Sequence, residues 1–174
     1  MAPETRSEIC QSLEDSRVEL NNSVAGVSEA QAKTSPAAGR WSVVDCVEHV
    51  TTVEQRFLGR LDEAERLSVP RVDKQKERDL MARLPNRSTP VQAPVMVQPS
   101  GRFPTLADAL AGFNAIRART IQFAEARAAD LSLLALDHAR FGPVNGTEML
   151  IIIAGHARRH AAQIREIRAA LGIA

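Results

Sequence analysis

The chain has 174 residues, 44% of them hydrophobic and 25% charged, the composition of a globular domain and not of a disordered or collagen-like chain. Lys and Arg total 22 against 21 for Asp and Glu, a formal charge of +1, so the positive excess that marks a nucleic-acid partner is missing. Aromatic residues are only 3%, with one Trp and no Tyr, which argues against base-stacking platforms and β-sandwich cores and favours a helical chain. A chain of this size buries roughly 70% of the surface exposed when unfolded, so one domain over residues 1–174 is expected, and any metal is expected to serve function and not folding. The first residues carry acids and no basic region leading into an apolar core, and the apolar run Met149 to Ala154 is far shorter than the roughly 20 residues of a membrane span. A cytoplasmic protein with no signal peptide and no membrane partner is expected. Cys10 and Cys46 form no CxxC pair and read as small buried hydrophobes in a reducing compartment.

In chain order, four long segments carry apolar residues at three-and-four spacing, and each opens on a polar residue followed three positions later by an acid, the pattern of a capped first turn. The first opens at Thr5 to Glu8, runs through Ile9, Leu13, Leu20 and Val24, and ends near Gly26, with one further turn expected at Ser28 to Gln31. A loop follows at Pro36 and Gly39. The second opens at Ser42 with Asp45, carries Cys46, His49, Val50, Val53, Phe57, Leu61 and Ala64 on one face, and runs until Pro70 stops it. The third opens at Thr105 with Asp108, and its stripe of Leu106, Leu110, Phe113, Ile116, Thr120 and Phe123 holds no titratable group. The fourth opens at Asn145 with Glu148 and places Met149, Ile153, His156, His160, Ile164, Ile167 and Leu171 on one stripe.

Between the second and third helices, Pro70 to Pro104 holds six of the nine prolines and a charged patch from Asp73 to Leu84 that can be helical. Its length suits a crossover joining two parallel helices and exceeds what a hairpin needs. The expected fold is therefore all-α, a four-helix bundle with a long proline-rich crossover between its second and third helices.

Three of the four histidines, His49, His156 and His160, lie on apolar stripes. Residues four apart on a helix rise about 6 Å and diverge by roughly 40°, so His156 and His160 can aim ring nitrogens at one point. A third ligand from a facing helix completes a three-nitrogen site with positions open to water, as catalytic metal sites have. The pair alone does not separate a chelate from two hydrogen-bonded core histidines. Ala157 stands where zinc peptidases carry the glutamate after the first histidine, so H-E-x-x-H chemistry is excluded.

The stretch Arg40-Trp-Ser-Val-Val-Asp-Cys-Val-Glu-His-Val50 resembles the second-helix signature of the DinB superfamily. His138-Ala-Arg-Phe-Gly-Pro-Val-Asn-Gly-Thr-Glu148, followed by Gly155-His-Ala-Arg-Arg-His-Ala-Ala-Gln-Ile164, is similar to that family's lead-in to the fourth helix and its metal-binding segment. The resemblance implies a four-helix bundle holding nickel or zinc on one histidine of the second helix and two of the fourth, which map onto His49, His156 and His160. It also implies thiol-dependent chemistry of the kind characterised relatives perform, in which a low-molecular-weight thiol such as bacillithiol or mycothiol attacks a small electrophile. Ala139 departs from the proline that often follows the histidine matching His138. That loop histidine reads as packing over the bundle end and stays a candidate for moving a proton or orienting a group at the site.

Gln163, one turn after His160, either hydrogen-bonds a bound water or substrate or faces solvent. Asp45 reads as the acid of a capping box more than as a partner for a ligand ring. Cys46 is read as a neutral buried thiol, and Arg158 and Arg159 as a solvated face. No carboxylate stands out as a general base, which suits activation of a thiol slightly better than hydrolysis. The expected function is metal-dependent transfer of a small thiol to a small-molecule substrate. Metal-dependent hydrolysis and a non-catalytic metal-binding or dimerising bundle are the alternatives, and a homodimer is expected from the frequency of twofold oligomers and from family habit.

Overall fold

The computed structural model describes residues 6–89 and 91–173. Among these, the helices are α1 (Arg6–Ser23), α2 (Glu29–Ala32), α3 (Val43–Asp62), α4 (Lys74–Arg83), α5 (Leu106–Ala126) and α6 (Gly146–Leu171), and the strands are β1 (Glu65–Arg66), β2 (Leu134–His138) and β3 (Gly142–Asn145). The four long helices make a bundle in which α1 packs on α5 and α6, and α3 packs on the same two.

The helix starts follow their local chemistry. Ser42 and Asn145 accept from the backbone N–H three residues on, while Asp45 and Glu148 reach back to the cap N–H, closing capping boxes on α3 and α6. Thr105 accepts from the Asp108 N–H to start α5, and the extra turn after the first helix is capped by Ser28 with Gln31. Each such cap is worth about 1 kcal/mol. The cap expected at Thr5 lies outside the described residues.

Three expectations are corrected. The second helix stops at Asp62, well before Pro70, and Ala64 lies beyond it, because Glu65 and Arg66 leave the helix to pair with Ala135 and Leu134. An all-helical chain gives way to a small antiparallel sheet of order β1-β2-β3. In it, His138 ends a strand instead of sitting in a loop, paired with Gly142. The turn between them has three residues, and Gly142, at φ +66°, supplies the left-handed residue that such hairpins favour. Third, the buried face of α5 is broader than the expected stripe and shifted at its edges: Leu106, Phe113, Ile116 and Thr120 are buried as expected, Leu110 and Phe123 are only partly buried, and Ala109, Arg117 and Ala124 are buried in addition, so the face does hold a titratable group. The long connection from α3 to α5 carries β1, α4 and a 3-10 turn at Val95–Val97, so it is a structured excursion.

Two apolar clusters fill the bundle. One joins Leu13, Leu61, Leu80 and Leu84 to the sheet and to Met149–Ala154 of α6. The other joins Leu20, Val43, Val47, Val50 and Phe113 to Ala157, Ala161 and Ile164. His156 falls on α6 at the junction of the two.

Candidate metal centre

His49 comes from α3 and His156 and His160 from successive turns of α6. Because α3 packs directly on α6, the three rings meet at one point, each pair 4.5 to 5.0 Å apart between centroids and edge-on to one another. His156 Nε2 lies 3.2 Å from His49 Nε2 and 3.2 Å from His160 Nε2. The three candidate ligand atoms all fall within 4.8 Å of one another.

The tautomer of His49 follows from its other nitrogen. Nδ1 is 2.7 Å from the Val97 carbonyl oxygen, which can only accept, so Nδ1 carries the proton and Nε2 turns a lone pair to the cluster. A carbonyl that orients a ligand imidazole through its far nitrogen is a recurrent partner of metal-binding histidines. The rings are also held neutral. Burial lowers the His49 pKa, against the pull of the Val97 hydrogen bond. Burial holds His156 and His160 well below the ordinary histidine value, and the charges of the neighbouring imidazoles lower them further.

These residues fit a divalent cation. Nitrogens bound at about 2.0 to 2.1 Å and 90 to 109° apart stand about 2.8 to 3.4 Å from one another; the two contacts that His156 makes, both 3.2 Å, fall in that interval, while the whole set is bounded at 4.8 Å. Neutral imidazole lone pairs aimed at one another repel unless a proton or a cation lies between them. His160 Nδ1, on the side of the ring away from the cluster, is buried with no hydrogen-bond partner among the described residues.

The surroundings close the site on several sides. The Trp41 ring, one residue before the α3 cap, lies 4.8 Å from the His49 ring and 6.1 Å from that of His160. Residues 84–89 run along α6, and Val97, Ser100 and Arg102 contact α3. Leu84 seats against Gly155, where an added Cβ would come within 2.6 Å of the Leu84 Cβ. Arg87 pairs with both oxygens of Glu166 at 2.8 Å and reaches the Gln163 side-chain oxygen at 3.2 Å. Arg159 donates to the carbonyls of Asn86 and Thr89.

The other candidates from the sequence are therefore placed as follows. Gln163 is half-buried with its oxygen taken by Arg87, which leaves its amide N–H groups as its remaining polar atoms. His138 stacks at an angle between Phe57 and Phe141, and its Nδ1 accepts from the Arg140 N–H. No hydrogen bond joins it to the three histidines, though its charge is among those that disfavour protonation of His156. Asp45 is used by the Ser42 cap. Cys46 is fully buried, and burial with the nearby Asp45 pushes its thiol pKa up, which keeps it neutral. Arg159 is not a freely solvated residue as expected; it straps the 86–89 segment to α6. Arg158 likewise binds back to α1, at the side chain and carbonyl of Ser12.

Sequence reasoning passed over Trp41, Val97 and Glu48. The single Trp beside a helix cap was a usable signal. A backbone carbonyl such as that of Val97 has none.

A four-helix bundle with three converging imidazoles defines a helical protein with a buried three-histidine cluster of metal-ligating residue types. The chain belongs to the DinB superfamily, whose family model matches residues 12–164. Among solved structures it is similar to YfiT from Bacillus subtilis, described as "a probable metal-dependent hydrolase with an unusual four-helix bundle topology", at 18% identity and a TM-score of 0.60, covering 100% of this chain and 91% of that one. At that identity the likeness is one of fold. No curated protein sequence matches the chain.

Proposed function

We propose that this protein is a metal-dependent enzyme acting on a small-molecule electrophile, with a low-molecular-weight thiol as nucleophile and with His49, His156 and His160 as the metal ligands. The observation that carries the reading is the convergence of three imidazole nitrogens within 4.8 Å of one another on the bundle interior, with His156 in 3.2 Å contact with both of the others. Three neutral imidazoles suit zinc or nickel. When bound, such an ion supplies Lewis acidity that lowers the pKa of a water or thiol reaching it.

The chain's own groups favour a nucleophile that needs little help in losing its proton. The carboxylates flanking the histidines on α3 and α6 are all engaged: Asp45 by Ser42, Glu48 by Ser100 and Arg102, Glu54 by Arg117, and Glu166 by Arg87. A thiol, with an ordinary pKa of about 8.5, is closer to ionisation at neutral pH than water and so depends less on a general base. His138 has its proton on Nε2, since Nδ1 accepts, and is the side chain best placed in chemistry to move a proton at the edge of the site. The Gln163 amide donates to whatever oxygen the substrate presents.

Hydrolysis is the second reading, favoured by the description of YfiT. Both are separated by one assay, in which zinc- or nickel-loaded protein is offered a panel of electrophiles with and without bacillithiol, mycothiol or cysteine. Metal-dependent consumption of thiol, lost in His49→Ala, is the expected result. Turnover of esters or amides without thiol assigns hydrolysis, and loaded protein no faster than chelator-treated protein on every pair overturns both in favour of a non-catalytic bundle. We also propose a cytoplasmic homodimer, which a light-scattering mass equal to one 18.9 kDa chain at micromolar concentration would refute.

A further inference from the structure

Glu48 precedes His49 on α3 and is only 2% exposed. A buried carboxylate is costly unless its oxygens are hydrogen-bonded. Here the donors come from one short stretch of backbone: Ser100 N–H at 2.6 Å and Ser100 Oγ at 3.0 Å on one oxygen, and Arg102 N–H at 2.9 Å on the other. No ion pair to Glu48 is formed among the described residues. Three residues before Ser100 lies Val97, whose carbonyl accepts the hydrogen bond from His49 Nδ1–H. The arch from Val97 to Arg102 is thus pinned at both ends to consecutive residues of one helical turn.

The arch is stiff between its pins. Pro99 fixes one backbone angle inside it. The Val97 N–H donates to the Pro94 carbonyl, and the Gln98 amide donates to the Ala93 carbonyl, so the chain leading in is held as well. With the Glu48 end fixed, the Val97 carbonyl has little freedom to move off the line of His49 Nδ1.

We propose that Glu48 is a positioning residue of the metal centre: by clamping the 100–102 backbone it holds the Val97 carbonyl against His49 Nδ1, and so presents the Nε2 lone pair to the cation. This rests on the three-histidine metal reading. Loss of a group that orients a ligand imidazole typically weakens metal binding by about 10- to 100-fold.

The test compares wild type, Glu48→Gln and Ser100→Ala, each with two readouts: zinc affinity by chelator competition, and the His49 ring tautomer in the metal-free protein by long-range proton–nitrogen NMR. Circular dichroism reports whether each variant folds. The expected results are a pure Nδ1–H tautomer in wild type, and in folded Glu48→Gln a mixture of tautomers together with zinc binding weaker by about 10- to 100-fold. Ser100→Ala, which removes a single donor at an exposed position, is expected to change both readouts in the same direction by a smaller amount. Wild-type tautomer and wild-type affinity in folded Glu48→Gln overturn the inference. Should Glu48→Gln fail to fold, the same wild-type values in Ser100→Ala overturn it. If wild type binds no zinc, the metal reading fails, and the tautomer measurement still decides whether Glu48 positions His49.

Discussion

Two of the polar clusters that the bundle buries have opposite hydrogen-bond balances. Arg117, at 0% exposure, has every guanidinium nitrogen engaged: Nε and Nη2 meet the two oxygens of Glu54 at 2.8 Å, and Nη1 donates to the Leu13 carbonyl and to Ser16 Oγ. It ties α5 to α3 and α1 and leaves nothing for a guest. The histidine cluster is less complete: its three rings are joined only through the His156 Nε2 contacts at 3.2 Å, and the His160 Nδ1 is unpartnered among the described residues. A polar cluster that closes on itself holds helices together, and one that does not is arranged around something else.

That contrast can be broken most forcefully at Arg117. Arg117→Leu leaves Glu54 buried without its cation and is expected to cost about 3 to 5 kcal/mol in urea unfolding. Adding Glu54→Leu should recover most of the loss, because an apolar pair of similar volume often replaces a buried ion pair without penalty. Equal instability in the single and double variants would show that Arg117 acts mainly through its bonds to α1.

The histidines should behave in the reverse way. His156→Ala or His160→Ala is expected to leave the metal-free fold intact and to weaken zinc binding by more than about a hundredfold, beyond the effect of losing an orienting partner. Isothermal titration of the purified variants checks this. Binding close to wild type in the double variant would place the metal elsewhere.

The sign of the pH dependence follows from the same cluster. Folding depresses the pKa of His49, His156 and His160, so the unfolded chain takes up protons first as pH falls below about 6.5. Stability of the metal-free protein is therefore fully present above that pH and lost progressively below it, until the folded rings also protonate. Urea midpoints between pH 7 and 5 should show this slope, and it should flatten in the His156→Ala, His160→Ala double variant.

A smaller effect is expected at Gly155, whose missing Cβ admits Leu84 beside the site. Gly155→Ala forces a methyl into the Leu84 side chain and should cost about 1 to 3 kcal/mol, partly offset by about 1 kcal/mol of helix propensity. The smallest is expected at His138: His138→Ala should leave zinc affinity within about threefold of wild type, since it lacks a bond to the cluster and removes none of the ligands that hold the ion. A larger loss would bring His138 into the centre.

The caps of α3, α5 and α6 were legible because a cap is decided within four residues: Ser42 with Asp45, Thr105 with Asp108, and Asn145 with Glu148 each satisfy amides of their own first turn. The three histidines stood out for a related reason, since apolar periodicity along a single helix shows which side chains face inward. What the chain read alone determines is therefore local: helix starts, the buried faces of α1, α3 and α6, and the residue types that arrive at them. Only the tertiary structure decided that Arg117 and Glu48 are buried, because the cost of burying a charge is offset by partners 63 and 52 residues away in the chain. It also decided that Glu65 and Arg66 leave their helix to join a sheet whose strands, two, five and four residues long, are too short for a period of two to register. The orientation of His49 belongs to the same category, since the carbonyl of Val97 that sets it is common to every residue type, and only the path of the backbone brings it to the imidazole.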